Sequence, residues 1–585
     1  MSTFSTIEPL LASVERPARY LNHEFGARAP VEEADVRVGL CYPDTYEVGQ
    51  ANQALQILYD RLAHDTQADA QVSVERVYLP GVDMIAEMRA RAIPLFTLEG
   101  HRPVRTLDIL GITMPHELAM TSILEVIDLS GITLHASERG EDEPIIIGGG
   151  PGAFNPEPMA PFFDAFFIGE ADTAIDEVVE VVRQAKMAAT GWRAAALIEL
   201  AEVASVYVPA IHDPAHARIT RRIVDDFASL EPPRCHIVPY ANVVHDRVAL
   251  EIMRGCGRGC RFCQAGPMYR PVRERSADTI VRAAIKAIRA TGMEEVSLTS
   301  LSSTDHSQIL EIVRRLNTQL APRAVSVSIP SVRIDTLSID LLEVLTSGAK
   351  KPALTLAPEA GTQRMRDIIN KDVTEEQLLE TIRYAFDVGY RRIKLYFMIG
   401  LPDETDEDVR GIAELVARVY RLAHETIEPD QRGALKIAVS VNALVPKAHT
   451  PFERLAQSSV AEIERKQTLL REALPRKGIV LSTSNAHASC IEGVLARGDR
   501  ALAPVIEAAW RSGALFEAYA EQFDIAHWEH AFDTCAVDPD AYVATRNPSD
   551  RLPWEHIVMR ASCCERTGES AESTESTGDE AGGCS

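Results

Sequence analysis

Short apolar runs rich in β-branched residues alternate with amphipathic helical stretches through most of this chain, and no other feature restricts its fold as much. Residues 36–43, 72–80, 107–113, 143–150 and 164–170 read as strands, and the stretches 47–64 and 116–132 carry helical periodicity. The pattern predicts a parallel sheet with crossover helices over 36–190, after a helical N-terminal segment, 1–35. In such sheets ligands bind beyond the carboxyl ends of the strands, so Pro43 to Tyr46, His116, Gly148 to Gly152 and Gly169–Glu170 are expected to line one crevice. The GGGPG run at 148–152 matches neither the dinucleotide fingerprint nor the P-loop, and tight turn packing accounts for it about as well.

Residues 191–246 read as a connector: a helix, then 205–214 and 217–227 as a hairpin, then a proline-containing stretch. Alternation returns over 247–450, with strands expected at 247–255, 294–301, 324–331, 351–361, 391–402 and 435–446. Six strands with helices between them make a partial (β/α) barrel, whose chemistry gathers on the loops after the strands. Residues 451–560 are mostly helical in pattern. The tail, 561–585, is rich in Ser, Glu and Gly and buries too little apolar surface to fold, so it is expected to be disordered.

No apolar run approaches the ~18 residues a membrane span needs. The N-terminus lacks the basic start and long apolar stretch of a signal peptide, and the chain reads as cytoplasmic. Ten cysteines in 585 residues fit a reducing compartment, where thiols serve metals or redox chemistry, better than a disulfide framework. The formal charge of −25 opposes phosphate backbones, so nucleic acid is not indicated. Locally, Arg270, Arg273, Arg275, Arg282, Lys286 and Arg289 read as a solvated helix face plus a loop, or as an anion-binding rim.

Three of the ten cysteines fall within RGCGRGCRFCQAG, residues 254–266. Cys256, Cys260 and Cys263 are spaced C-x3-C-x2-C on the loop after the first barrel strand, so one loop can wrap a compact metal centre. Thiolates suit zinc or iron–sulfur clusters, and a closed structural site needs a fourth ligand. Cys235 and His236 are the nearest candidates upstream and Cys490 is the next cysteine downstream, so no neighbour supplies one. The spacing suits a cubane with three protein-held irons and one left open; a zinc knuckle completed by a distant Cys or His is the alternative. Gly255, Gly257 and Gly259 are expected to let the backbone turn around the sulfurs, and Phe262 to shield the centre from water.

At these residues the chain resembles the radical S-adenosylmethionine (SAM) superfamily, and within it a bacterial branch with a cobalamin-binding-like N-terminal domain. RGCGRGCRFCQAGPMYRPVRER, SLTSLSSTDH, LTLAPEAGTQRMRDIINK, KLYFMIGLPDETDED and SVNALVPKAHTPF resemble that branch's successive strand-end motifs. GGGPGAFNPEP and FFIGEAD resemble its N-terminal domain, and the resemblance covers roughly residues 30–560. It implies an α/β chain with a Rossmann-like N-terminal domain, a partial (β/α)6 TIM-type barrel and a mostly helical C-terminal region.

The resemblance also implies a [4Fe-4S] cluster on Cys256, Cys260 and Cys263, with S-adenosyl-L-methionine bound to the open iron. Reductive cleavage would give methionine and a 5′-deoxyadenosyl radical that modifies an unidentified substrate, with an electron donor such as flavodoxin or ferredoxin. By position, Ser300 and Ser302 would contact the methionine end. Ser328 and Arg333 lie on or just after the third barrel strand, and Glu359 and Arg366 follow the fourth, where a carboxylate and a guanidinium would hold the ribose hydroxyls and the methionine carboxylate. Gly400, Leu401 and Asn442 would border the adenine. Barrel-rim hydrogen bonding or turn geometry is the plainer role for each.

Two features depart from the resemblance. The D-x-H-x-x-G signature of histidine-bound cobalamin is absent and CYPDTYEVGQ stands in its place, so cobalamin is expected, if at all, without an axial histidine. Related chains tend to end in a further cysteine cluster, whereas Cys563, Cys564 and Cys584 here lie in the tail, as solvated thiols or a second metal site. A non-catalytic iron–sulfur or zinc protein serving in binding or assembly is the alternative function. Among enzyme readings, methyl or methylthio transfer competes with radical rearrangement or cyclisation, and the sequence selects no substrate.

Overall fold

The computed structural model describes residues 4–64, 71–187, 191–234, 236–346, 353–474 and 478–559. Cys563, Cys564 and Cys584 therefore lie outside the described residues, as does the tail. Strands β1 (Val36–Tyr42), β2 (Val72–Tyr78), β3 (Ile109–Thr113), β4 (Ile145–Gly149) and β5 (Ala165–Phe167) form a parallel sheet in the order β2-β1-β3-β4-β5. β1 is almost wholly buried, as a central strand covered on both faces must be. On one face the helices Gln53–His64 and Ile175–Met187 close a core of Val38, Leu40, Tyr59 and Val178. On the other the helix Met120–Leu129 packs Ile123 and Ile127 onto Leu110 and Ile112. This is the Rossmann-like unit that the alternation predicts.

The expected hairpin over 205–227 does not form. β6 (Val206–Tyr207) joins the first sheet antiparallel to β5, and β7 (Ile219–Thr220) pairs in parallel with Ile557–Val558 near the far end of the described chain. Two short apolar runs around a proline turn suit a hairpin locally, but each pairs with a strand outside the connector.

The second unit holds β8 (Val248–Glu251), followed by β9 (Met253–Arg254) and β10 (Arg273–Glu274), which pair antiparallel across the root of the cysteine loop. Then come β11 (Glu295–Thr299), β12 (Ser326–Ser328), β13 (Leu354–Glu359), β14 (Arg392–Ile399), β15 (Lys436–Ala443) and β16 (Ile479–Thr483). β8, β11 and β12 make one three-stranded parallel sheet, and β13 to β16 a four-stranded one. Alternation along β14 sends Ile393, Leu395, Phe397 and Ile399 into the helix-covered core and leaves Lys394, Tyr396 and Met398 on the opposite, partly open face. β16 is a strand beyond the six expected: five residues between helices carry too little periodicity to be told from a helical segment. The helices Val460–Ala473, Ala486–Ala496, Ala503–Ser512 and Ile525–Cys535 complete the mostly helical C-terminal region. No helix among the described residues is long and apolar enough to cross a membrane.

The loop after β15 reaches the loops after β3 and β4. Lys447 Nζ lies 2.6 Å from Glu117, and His449 Nε2 lies 2.9 Å from the carbonyl of Phe154. Met268, just past the cysteines, is buried in the core of the N-terminal unit.

Candidate metal centre

The cysteine loop is clasped from both sides. Arg270 donates through Nε to the Cys256 carbonyl at 3.1 Å and through Nη2 to that of Arg258. From the segment after β13, Asn370 Nδ2 donates to the Gly259 carbonyl at 2.8 Å, while the Arg261 amide donates to Ile369 O at 3.0 Å and its Nη1 to Ile368 O at 2.7 Å. Of the three loop glycines Gly255 needs its backbone freedom, holding φ +88° where a Cβ would collide with the carbonyl of Pro271, and Gly259 leaves room for Asn370 Nδ2, which would lie 2.7 Å from a Cβ there. Phe262 packs against Ala360, Met365, Ile369, Leu401, Leu444 and Phe452, an apolar cluster on the strand ends of β13 to β15.

Charged residues ring the loop. Arg258 pairs with Asp305 at 2.9 Å and with Asp335 at 3.1 Å, and Arg333 Nε meets Asp335 at 2.9 Å. Ser302 Oγ donates to Asp305 at 2.7 Å, Ser300 shares a hydrogen bond with Ser303, and the Arg333 amide donates to Thr304 Oγ1 at 2.9 Å. Burial pushes the Cys260 thiol above its ordinary value; Lys371 and Arg333 pull it down, while Cys263 and Glu359 push it further up. The bond from Asn370 to the Gly259 carbonyl brings the segment that carries Lys371 to the residue before Cys260. Glu359 sits at a β-bulge with φ +67°, its carboxyl is raised by burial, and Lys371 Nζ lies 3.2 Å from its Oε1. Arg333 Nη2 is buried without a hydrogen-bond partner. Among the described residues no three His, Cys, Asp or Glu side chains converge as ligands of a single ion would. Three thiols spread along one loop suit a polynuclear centre, in which each holds its own iron.

Other expected positions fall elsewhere. Arg366 is 1% exposed and spends its guanidinium on the Ala360 carbonyl and Gln363 Oε1, so it fastens the turn after β13 and is not free for a cofactor. Ser328 donates to Glu295 at 2.6 Å on the neighbouring strand. Gly400 turns with φ +77° and donates its amide to Glu404, Leu401 is buried in the apolar cluster beneath Phe262, and Asn442 is exposed on β15. The arginine run divides. Arg282, Lys286 and Arg289 form a solvated helix face, but Arg273 binds Glu170 of the N-terminal unit at 2.7 Å and the Val224 carbonyl of the connector at 2.6 Å, and Arg275 lies 4.2 Å over the Phe227 ring, so both stitch the barrel to what precedes it. Lys371, which the sequence did not single out, pairs with Glu359 at the rim; its only signal there is that Asn370–Lys371 closes the LTLAPEAGTQRMRDIINK motif.

The N-terminal crevice is bridged by the chain itself. Tyr519 donates to Asp44 at 2.9 Å, and Lys447 lies 2.6 Å from both Glu117 and Glu492. A Cβ on Gly152 would lie 2.8 Å from that of Met114, so part of the glycine run serves turn packing. Burial lowers the pKa of the His116 imidazole, which lies among these charges.

Two family models match, one described as radical SAM proteins, N-terminal, over residues 54–209, and one as the radical SAM superfamily over residues 250–416. The chain belongs to the radical SAM superfamily. It is an enzyme of the radical SAM class, with the cysteine loop at the start of the matched superfamily region. An uncharacterised protein of Methanocaldococcus jannaschii, MJ0966, is 27% identical over 474 residues, which is 80% of this chain and 90% of that one. The ribosomal protein uS12 methylthiotransferase RimO of Acidithiobacillus ferrooxidans is 24% identical over 51% of this chain and 70% of its own length. In fold, this radical SAM chain is similar to the radical SAM methyltransferase TsrM from Kitasatospora setae, solved with tryptophan and a SAM analogue (TM-score 0.51, 11% identity, 86% of this chain and 100% of that one). It is also similar to the cobalamin-dependent radical enzyme OxsB, solved with aqua-cobalamin and SAM (TM-score 0.50, 13% identity, 85% and 70%).

Proposed function

We propose that Cys256, Cys260 and Cys263 hold a [4Fe-4S] cluster, that SAM binds at the rim formed by Arg333, Glu359 and the Ser300–Ser302 loop, and that its reductive cleavage starts the modification of a substrate. The observation that carries this reading is the buried, unpartnered Nη2 of Arg333, whose Nε shares Asp335 with Arg258 of the cysteine loop. A buried donor left unsatisfied costs about 1–3 kcal/mol, and an incoming carboxylate would satisfy it. Glu359 offers acceptor oxygens for ribose hydroxyls at the same rim, held in place by its bulge and by Lys371. Phe262 and the apolar cluster beneath it exclude water from that side. When bound, the cluster supplies the electron that cleaves the sulfonium to methionine and a 5′-deoxyadenosyl radical. A one-electron donor of the flavodoxin or ferredoxin kind completes the scheme.

Cobalamin fits the observed crevice less well. A corrin beyond the strand ends of β1, β3 and β4 would have to part Tyr519 from Asp44 and Lys447 from Glu117, and the loop after β1 carries no histidine.

The test is product release. Anaerobically reconstituted full-length protein, reduced with dithionite and given SAM, is expected to release 5′-deoxyadenosine measurable by chromatography. A fully loaded, reduced cluster that releases none would overturn the reading.

A further inference from the structure

The segment after β13 is tied to the cysteine loop at three points, the two bonds from Arg261 to the Ile368 and Ile369 carbonyls and the one from Asn370 to Gly259. The Lys371 amide donates to the Arg366 carbonyl at 2.8 Å, which fixes the next residue in turn. Lys371 is thereby carried to the cysteine loop, one residue past the bond to Gly259, which precedes Cys260, with its Nζ 3.2 Å from Glu359 Oε1 and side chains that are only 11% and 15% exposed. Both ends of this arrangement sit in left-handed backbone, Glu359 at φ +67° and Asn370 at φ +53°. Side chains seldom adopt that conformation, and it persists where the surroundings dictate it. Lys371 is no part of the apolar cluster nearby; its ammonium is the partner of the buried Glu359 carboxyl.

We propose that the Lys371–Glu359 ion pair sets the reduction potential of the cluster on the cysteine loop, with Lys371 as the positive pole that faces the Cys260 ligand and Glu359 as the brake on it. The inference rests on the cluster reading above. Reduction takes one electron from a one-electron donor and places one unit of negative charge beside Cys260; no bond forms or breaks. A fixed cation nearby, poorly screened because the pair is mostly buried, favours the reduced form, and a fixed anion opposes it. The two members of the pair therefore act with opposite sign, which distinguishes tuning from mere support of the loop. Lys371 is a positioning and tuning residue and takes no part in bond breaking.

The experiment is a redox titration of reconstituted full-length protein followed by electron paramagnetic resonance, without SAM so that cofactor binding does not enter. At the wild-type midpoint, Lys371→Met is expected to lower the ratio of reduced to oxidised cluster at least about threefold, and Glu359→Gln to raise it at least about threefold. Lys371→Arg, which keeps the charge, should stay within that limit of wild type. Should Lys371→Met fail to load iron, the direction in Glu359→Gln decides: a rise sustains the proposal. Smaller shifts, or shifts of both variants in the same direction, overturn it. If wild-type protein assembles no four-iron cluster, the cluster reading fails and this inference falls with it; a loaded cluster whose potential ignores both charges overturns this inference alone.

Discussion

Arg254 and Asp172 close a two-point ion pair across the boundary between the two α/β units, with Nη1 to Oδ2 at 2.8 Å and Nη2 to Oδ1 at 3.0 Å. Arg254 also reaches Glu170 and Glu251 and lies 4.8 Å over the Phe227 ring. It stands two residues before Cys256, so the loop after β5 in the N-terminal unit holds the root of the cysteine loop. Removing one partner of a buried pair leaves an uncompensated charge. Arg254→Met is therefore expected to cost roughly 3–5 kcal/mol, seen as a lowered midpoint in thermal unfolding of the metal-free chain. Asp172→Asn should cost less, because Glu170 and Glu251 still hold the guanidinium. A loss under about 1 kcal/mol for Arg254→Met would mean that water screens the network.

Metal analysis separates a cluster from a zinc knuckle. Anaerobic reconstitution should give about four irons and four sulfides per chain, and Cys260→Ala should lose them, because it removes one of three thiolates. Cys490 supplies the control. Its thiol is pushed up to about 11 by burial and is spent on the Ser458 carbonyl, so Cys490→Ala should keep the full metal content. Stoichiometric zinc without labile sulfide would sink the cluster assignment.

Legibility in the sequence followed the range of the forces involved. The strands of the first sheet and the first six of the barrel were readable because each is a contiguous apolar run, and the cysteines because three thiols in one loop have few other uses. What failed depends on distant pairing. β7 finds Ile557–Val558, more than three hundred residues away, and no local pattern announces it. Arg366 and Lys371 are five residues apart in one motif, and chemistry alone favoured the arginine. The fold turns Arg366 inward onto Ala360 and holds Lys371 against Glu359 beside the cysteine loop, a choice made by the turn after β13.

Glu517 should give the C-terminal helices a pH dependence. Its carboxyl is 1% exposed, accepts from Trp528 Nε1 at 2.7 Å, and keeps Oε1 buried without a partner. Burial raises it from 4.5 to about 7. A carboxyl raised in the folded state stabilises the fold when protonated, so its contribution is whole below the unfolded value near 4.5 and is lost as pH rises through about 7. Glu517→Gln should remove that part of the slope and unfold at a higher temperature than wild type at pH 8. Identical wild-type and variant slopes between pH 5 and 8 in thermal melts would place Glu517 outside this account.

Arg333 and Arg366 together test the placement of SAM. Both are arginines that follow successive strands, β12 and β13, yet Arg333 keeps a buried Nη2 without a partner while Arg366 is spent on Ala360 and Gln363. Arg333→Gln and Glu359→Gln should each keep the iron, since no thiolate is touched. Each should weaken SAM binding by roughly 1.5–3 kcal/mol, the range for a lost charge-assisted hydrogen bond. Arg333→Lys should recover only part of the loss, because an ammonium lacks the planar fork that meets a carboxylate at two points. Arg366→Gln should lower the thermal midpoint, because the buried Ala360 carbonyl loses its donor, while affinity at a temperature where the chain stays folded remains near wild type. Equilibrium binding of SAM to iron-loaded protein reads all four variants. If Arg366→Gln binds as poorly as Arg333→Gln with its fold intact, or if Glu359→Gln binds as well as wild type, the rim has been assigned to the wrong residues.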